Sequence, residues 1–379
     1  MQKKCGGGEN KNLFLMKNIF IFTTIGFLVS FISMPLIIKL CKKYSVYDYT
    51  DERKIHSGNI SRLGGIGILA GFFVSAILFL IFTDGIDFWR TFPLFVAGAI
   101  IFTFGFIDDL KNLPAFVKLI FQVLAVLIVT ISEFRFKQIF GWILPTPLSF
   151  VLTFAWILGV INAYNLIDGL DGLCGSLSFT TVITLGVLYS LSNSMEAGVC
   201  FCLAGAILGF LCFNWPPAKI FMGDAGSQFL GFMIAILPLY TSGDSFEYNK
   251  FFIMIVLTSF PVFDTIAAIW RRLREHRPVM SPDSSHLHHK LLHLGFSKWS
   301  ALYVVLLFQI IDCVAVIVSQ FVEEKACIIL LGTTILFMIV FFSIIHYTNY
   351  AVMNKNKESA KLVANKDCNL DAENLASKK

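Results

Sequence analysis

GGIGILAGFFVSAILFLIFT, residues 64–83, runs for twenty residues without a charge. That is the length a helix needs to cross roughly 30 Å of hydrocarbon, where the helix is favoured because it satisfies its own backbone hydrogen bonds. Comparable apolar stretches recur outward from it at residues 14–38, 91–107, 115–132, 147–161, 174–191, 197–213, 225–241, 250–270, 299–319 and 326–347, separated by polar punctuation. The pattern predicts an all-α, polytopic membrane protein with about eleven transmembrane helices. Composition agrees: 56% of the 379 residues are hydrophobic and 15% charged, whereas soluble domains carry nearer a quarter charged.

Orientation follows from Lys and Arg. If the loops after the first, third, fifth, seventh and ninth helices share a side with the C-terminal tail, that side holds roughly twenty basic residues against about seven opposite. The N-terminus is then outside and the C-terminus cytoplasmic, with the plasma membrane as the location. The chain divides into a polar extension (1–13), a transmembrane catalytic domain (14–347) and a weakly helical tail (348–379). Met16 is a second candidate start. The two large cytoplasmic loops are 39–62 and 271–298, and residues 133–147 read as an interfacial hairpin. The net charge of +5 is a topology signal, which leaves no basic footprint for nucleic acid. The nine cysteines lack metal-type CxxC spacing and read as small hydrophobes.

The chemistry lies at helix ends on the cytoplasmic side. Asp108 and Asp109 end the third helix; Asn162, Asn165, Asp168 and Asp171 follow the fifth; Asn214, Lys219 and Asp224 follow the seventh; Asp264 lies inside the ninth. Any one of these is ordinary as an interfacial cap, but carboxylates near hydrocarbon are costly, and their convergence on one face predicts a shared site. Adjacent acids cannot both point the same way, so at a helix end one of Asp108 and Asp109 binds while the other orients a partner. In NAYNLIDGLDGL the three-residue steps from Asn165 to Asp168 to Asp171 put these groups on one face if the segment is helical. Asp224 precedes an apolar helix, where the helix dipole and one or two carboxylates with substrate phosphates suit Mg2+, or Mn2+ in its place. His286, His288 and His289 then read as donors to phosphate oxygens. Zinc is the alternative, disfavoured by the hard oxygen groups around them.

Together these motifs resemble the polyprenyl-phosphate N-acetylhexosamine-1-phosphate transferase superfamily, glycosyltransferase family 4. The likeness spans residues 48–298 with the segments in family order: RKIH, RLGG, DDL, the Lys118/Gln122 helix, NAYNLIDGLDGL, FNWPPAKIFMGD, PVFD and HLHH. It implies transfer of a sugar-1-phosphate from a UDP-N-acetylhexosamine to undecaprenyl phosphate with Mg2+ at the cytoplasmic face. Within the family, RLGG and NAYN resemble the GlcNAc-1-phosphate branch, which starts O-antigen, teichoic acid or similar envelope polymers. The alternative branch takes UDP-MurNAc-pentapeptide. The resemblance implies catalytic roles for Asp108, Asp109 and Asp168, and metal binding by Asp224 and Asp168. It implies substrate contacts from Lys54, His56, Arg62, Lys118, Asn162, Asn165, Asp171, Asn214, Phe221, His286, His288 and His289, and it is compatible with a homodimer. Three positions depart from the family pattern: Asn112 replaces a third aspartate, Ser61 a proline, and Ser284 the arginine two residues before HLHH.

Two other function classes are open to the residues alone. A transporter would place acids at the midplane and on both sides of the membrane, whereas these acids cluster on one side. A zinc hydrolase would need HExxH or an equivalent ligand helix, and the sequence has none.

Overall fold

The computed structural model describes residues 6–47, 60–83, 88–132, 134–192, 194–240, 249–278 and 286–376. Lys54 and His56 lie outside the described residues. The elements in order are α1 (Gly6–Tyr44), α2 (Gly65–Phe82), α3 (Phe88–Lys111), α4 (Ala115–Ile131), β1 (Gln138–Ile139), β2 (Trp142–Ile143), α5 (Thr146–Ile167), α6 (Leu173–Leu191) and α7 (Ala197–Asn214). They continue as α8 (Gly223–Ile236), α9 (Lys250–Leu257), α10 (Ser259–Arg274), α11 (Leu287–His293), α12 (Lys298–Val318) and α13 (Glu324–Ala376). Among the described residues eight helices are long and apolar enough to cross a membrane: α1, α2, α3, α5, α6, α7, α12 and α13. Two shorter apolar helices, α4 and α8, accompany them. The chain is an all-helical, multi-pass membrane protein.

Each apolar run of the sequence centres on helix, with the run from Ala225 leaving α8 at Ile236. The run 250–270 is not one straight crossing, however: it breaks at Thr258 into α9 and α10, bent by 76°. The sequence TSFP carried the signal, a hydroxyl residue followed by Pro261 in the first turn of a new helix, where proline costs no hydrogen bond. Within the segment expected as an interfacial hairpin, residues 138–143 do fold back, pairing Gln138 with Ile143 and Ile139 with Trp142. Its turn residues Phe140 and Gly141 both have positive φ, at 49° and 76°, matching the twist of a two-residue hairpin loop. α1 begins at Gly6, inside the stretch read as a polar extension, and α13 continues to Ala376 through the stretch read as a tail.

α8 lies at the centre. Every residue from Ala225 to Ile236 is buried, with α2, α3, α5 and α6 packed around it. On one flank α1 lies along α7. Gly205 and Gly209 make that approach close, since a Cβ at either would collide with the α1 backbone at Thr23 or Phe27. Small residues four apart suit membrane helices because lipid gives two apolar faces no hydrophobic drive to associate, so close contact must supply the attraction. Large apolar side chains remain exposed on the outside, among them Phe20, Ile32, Val151, Ile329 and Leu336, as a lipid-facing surface requires.

Candidate active site

The N-terminus of α8 organises the site. A helix start leaves backbone N–H groups without intrahelical acceptors and carries partial positive charge. Here Asp109, at the end of α3, supplies the acceptors: Oδ1 takes the Asp224 N–H at 2.9 Å and Oδ2 the Ala225 N–H at 3.0 Å. Gly223 turns the chain into α8 with φ +72°, and a Cβ there would collide with the Arg62 carbonyl and the Asp109 carboxylate. The RLGG segment closes the same corner. Phe221 N donates to the Ser61 carbonyl at 2.7 Å, Gly64 N to the Phe221 carbonyl at 2.8 Å and Gly65 N to the Met222 carbonyl at 2.9 Å. The Arg62 guanidinium bonds the Asp109 carbonyl and reaches Asn112 Oδ1 at 3.5 Å. Asn112 has φ +49°, a left-handed conformation that asparagine tolerates well.

Asp108 points elsewhere. Its Oδ1 accepts the Leu113 N–H at 2.6 Å, and its Oδ2 pairs closely with Lys118 Nζ. Lys118 also pairs with Asp224 Oδ2 at 2.9 Å. One ammonium therefore bridges two carboxylates, leaving the trio with a net negative charge when all three are ionised. Asp108 is buried, whereas Asp224 and Lys118 are about a third open, at 32% and 28% of side-chain surface. The adjacent aspartates thus part ways: Asp109 caps α8, and Asp108 turns to Lys118.

Beneath Lys118 an amide chain crosses three helices. Asn162 Nδ2 donates to Gln122 Oε1 at 3.0 Å and Gln122 Nε2 to Gln228 Oε1 at 3.0 Å, while Gln228 Nε2 is buried without a partner. Lys118, Gln122 and Gln228, with Ile101, Phe104 and Phe121, line a small recess. Asn165 Oδ1 accepts the Ser227 hydroxyl at 2.8 Å. Ser227 and Gln228 were missed in the sequence. Their signal was a polar pair one turn after Asp224 in an otherwise apolar helix.

The single helical face expected for Asn165, Asp168 and Asp171 does not form. α5 ends at Ile167, Asp168 is its half-buried C-cap, and the chain turns through Gly172 at φ +75°. Asp171 consequently faces the loop after α7, accepting the Ala218 N–H at 3.3 Å and approaching Lys298 Nζ at 3.9 Å. Asn214 is spent within the fold: it accepts Gly172 N–H at 3.1 Å and donates to the Ile220 carbonyl at 2.8 Å, with 3% of its surface exposed. That geometry makes it a tie between the loops after α5 and α7. Phe221 is half-buried beside the α8 corner.

The histidine segment is held by Asp264. Its Oδ2 pairs with His286 Nδ1 at 2.8 Å and its Oδ1 accepts Leu287 N–H at 2.9 Å, capping α11. His288 is 2% exposed, with neither ring nitrogen partnered. It packs on Gly169, where a Cβ would collide with its ring, and lies 4.4 Å from the half-buried ring of His289. Burial, reinforced by His289, pushes His288 down to about 3, so the ring is neutral at physiological pH. A neutral imidazole has one N–H to donate and one nitrogen to accept.

Comparison with known proteins settles the family. A profile described as glycosyl transferase family 4 matches residues 91–242. Over 336 residues the chain is 33% identical to a Bacillus subtilis protein described as a probable undecaprenyl-phosphate N-acetylglucosaminyl 1-phosphate transferase, covering 84% of this chain and 89% of that one. The chain belongs to glycosyl transferase family 4. Other relatives of this family 4 chain are a Mycobacterium leprae decaprenyl-phosphate N-acetylglucosaminephosphotransferase, 31% identical over 74% of this chain and 78% of that one, and an Escherichia coli K12 undecaprenyl-phosphate alpha-N-acetylglucosaminyl 1-phosphate transferase, 28% identical over 86% and 88%. The resemblance drawn from RLGG, NAYN and HLHH is borne out, and the relatives bear the names of the GlcNAc-1-phosphate branch.

Proposed function

We propose that this family 4 enzyme transfers GlcNAc-1-phosphate from UDP-GlcNAc to undecaprenyl phosphate, releasing UMP, at the cytoplasmic face of the plasma membrane. The observation that carries the reading is the Lys118 bridge between Asp108 and Asp224 at the start of α8. Transfer of a phosphoryl group between two anions asks a protein mainly for positioning and charge neutralisation, and this cluster combines an ammonium, two carboxylates and a helix N-terminus. The names of the relatives support the acceptor and the sugar.

Among the described residues no three His, Cys, Asp or Glu side chains converge as a metal site. The donor set still suits Mg2+, which takes one or two carboxylates and fills its remaining positions with phosphate oxygens and water. Asp224, and Asp108 beside it, would hold the ion, which when bound would neutralise pyrophosphate charge. Asp168, the other expected ligand, is assigned to the nucleotide side of the same opening. The chain's own groups do the rest. Lys118 steadies the lipid phosphate, an oxygen of which forms a bond to the sugar-linked β-phosphorus. The bond from that phosphorus to the oxygen of the α-phosphate breaks, and UMP leaves with the oxygen. His288 and His289 donate to phosphate oxygens, and Phe221 offers an apolar face to uracil. All eleven apolar segments, counting the bent α9–α10 pair as one, cross or enter the bilayer in this arrangement.

A donor panel tests the reading. Purified enzyme with undecaprenyl phosphate and Mg2+ is expected to release UMP from UDP-GlcNAc and not from UDP-MurNAc-pentapeptide. A higher kcat/KM for the pentapeptide nucleotide would overturn the branch assignment.

A further inference from the structure

Away from the site, α12 carries two polar side chains through its apolar run, Gln309 and Asp312, and both are fully buried. Three residues apart on one helix, they face the same feature: the break between α9 and α10. A helix that stops inside a membrane leaves carbonyls without donors and N–H groups without acceptors, and protein must supply both. It does so here. Gln309 Nε2 donates to the Leu257 carbonyl at 3.1 Å and to Thr181 Oγ1 at 3.1 Å, and Thr181 in turn donates to the same carbonyl at 3.1 Å. Across the break the Ser259 hydroxyl donates to Asp312 Oδ2 at 2.6 Å.

Two atoms are left over: Gln309 Oε1 and Asp312 Oδ1 are both buried acceptors with no donor. Among the described residues the groups around them are the Thr181 and Ser259 hydroxyls, the Leu257 carbonyl and the Cys313 thiol, none of which brings a positive charge. An ionised carboxylate with a single hydroxyl donor is costly at such a place, as is an orphaned amide oxygen. One proton resolves both, because a carboxylic acid has an O–H to give and residues three apart on a helix are neighbours.

We propose that Asp312 is a neutral carboxylic acid whose Oδ1–H donates to Gln309 Oε1, closing a polar clamp that fixes the break between α9 and α10. The clamp reaches the site through α10. The bend aims α10, and α10 carries Asp264, which holds His286 and the start of α11 and so places His288 and His289. Asp312 is thus a positioning residue for the histidine segment, and this consequence rests on the functional reading above. The protonation state does not.

The substitutions separate hydrogen bonding from charge. Asp312→Asn retains an oxygen for Ser259 and offers an N–H to Gln309, so it is expected to keep thermal stability and UMP release within about twofold of wild type. Asp312→Leu removes both contacts and is expected to lower kcat at least about tenfold, with a smaller change in KM. Infrared spectroscopy of the full-length protein near pH 8 reads the proton directly: wild type is expected to show a protonated-carboxyl C=O band that is absent from Asp312→Asn. Should Asp312→Leu fail to fold, the infrared band and Asp312→Asn still decide. The proposal is overturned if the band is missing from wild type, or if Asp312→Asn is as impaired as Asp312→Leu. It is also overturned if Na+ in place of choline raises Tm in wild type but not in Asp312→Asn, which would make the orphan oxygens a cation site. Loss of turnover in every preparation, with the band present, would instead count against the assigned reaction.

Discussion

Asp224 and His288 sit at opposite extremes of exposure in the site. Asp224 is open to solvent by a third, and its backbone N–H, not its carboxylate, anchors α8. Asp224→Asn should therefore spare the fold while lowering turnover more than about tenfold, or about 1.4 kcal/mol of barrier. UMP release measured on monodisperse protein checks this, and retention of more than a tenth of activity would remove Asp224 from the metal-binding role. His288 behaves oppositely, because burial holds it near 3 against an ordinary value of 6.5. Between those values the unfolded chain binds a proton that the folded chain refuses. Its contribution is thus complete above about pH 6.5 and declines as acid is added, by about 2 kcal/mol at about pH 5. Replacing it with glutamine should flatten the fall of Tm between pH 7 and 5; an unchanged slope would mean that the ring is protonated in the folded state.

Elements explain what the sequence made legible. Apolar length located the long helices, because in hydrocarbon such a run satisfies its backbone as helix, but length alone did not show the β1–β2 hairpin, which lies in the uncharged stretch 138–167. The carboxylates at helix ends were visible because charge is rare in such a chain. Their partners were not, because Asp109 and Asp224 are 115 residues apart and only packing brings them together. The turn at residues 168–172 was misread for a related reason: spacing of three suggested a continuous face, whereas Gly169 and Gly172 allow the chain to leave the helix there. Asp312 and Gln309 went unread inside a run judged by average hydropathy, in which two buried polar groups hardly register. A prediction belongs to the junction of α3 and α8. Asp109 brings a negative charge and two acceptor oxygens to the first N–H groups of α8, so Asp109→Asn, which keeps one acceptor and loses the charge, should cost on the order of 1–2 kcal/mol. Thermal unfolding in detergent checks it, and unchanged stability would contradict the capping role.

At the scale of the whole molecule, the excess of Lys and Arg in alternate loops predicts a cytoplasmic C-terminus. A reporter fused after Tyr350 should read as cytoplasmic, and a tag inserted between residues 242 and 249 as external. Both on one side would break the eleven-segment arrangement. Lys118, Asp108 and Asp224 are proposed to serve transfer of a phosphoryl-sugar and not of a sugar alone. The most direct measurement supplies purified enzyme with undecaprenyl phosphate and UDP-GlcNAc labelled at the β-phosphorus. The label is expected to enter the lipid product in equal amount with the sugar, the nucleotide released to be UMP, and Asp224→Asn to lower both more than about tenfold. Release of UDP, with the label remaining on the nucleotide, would contradict it.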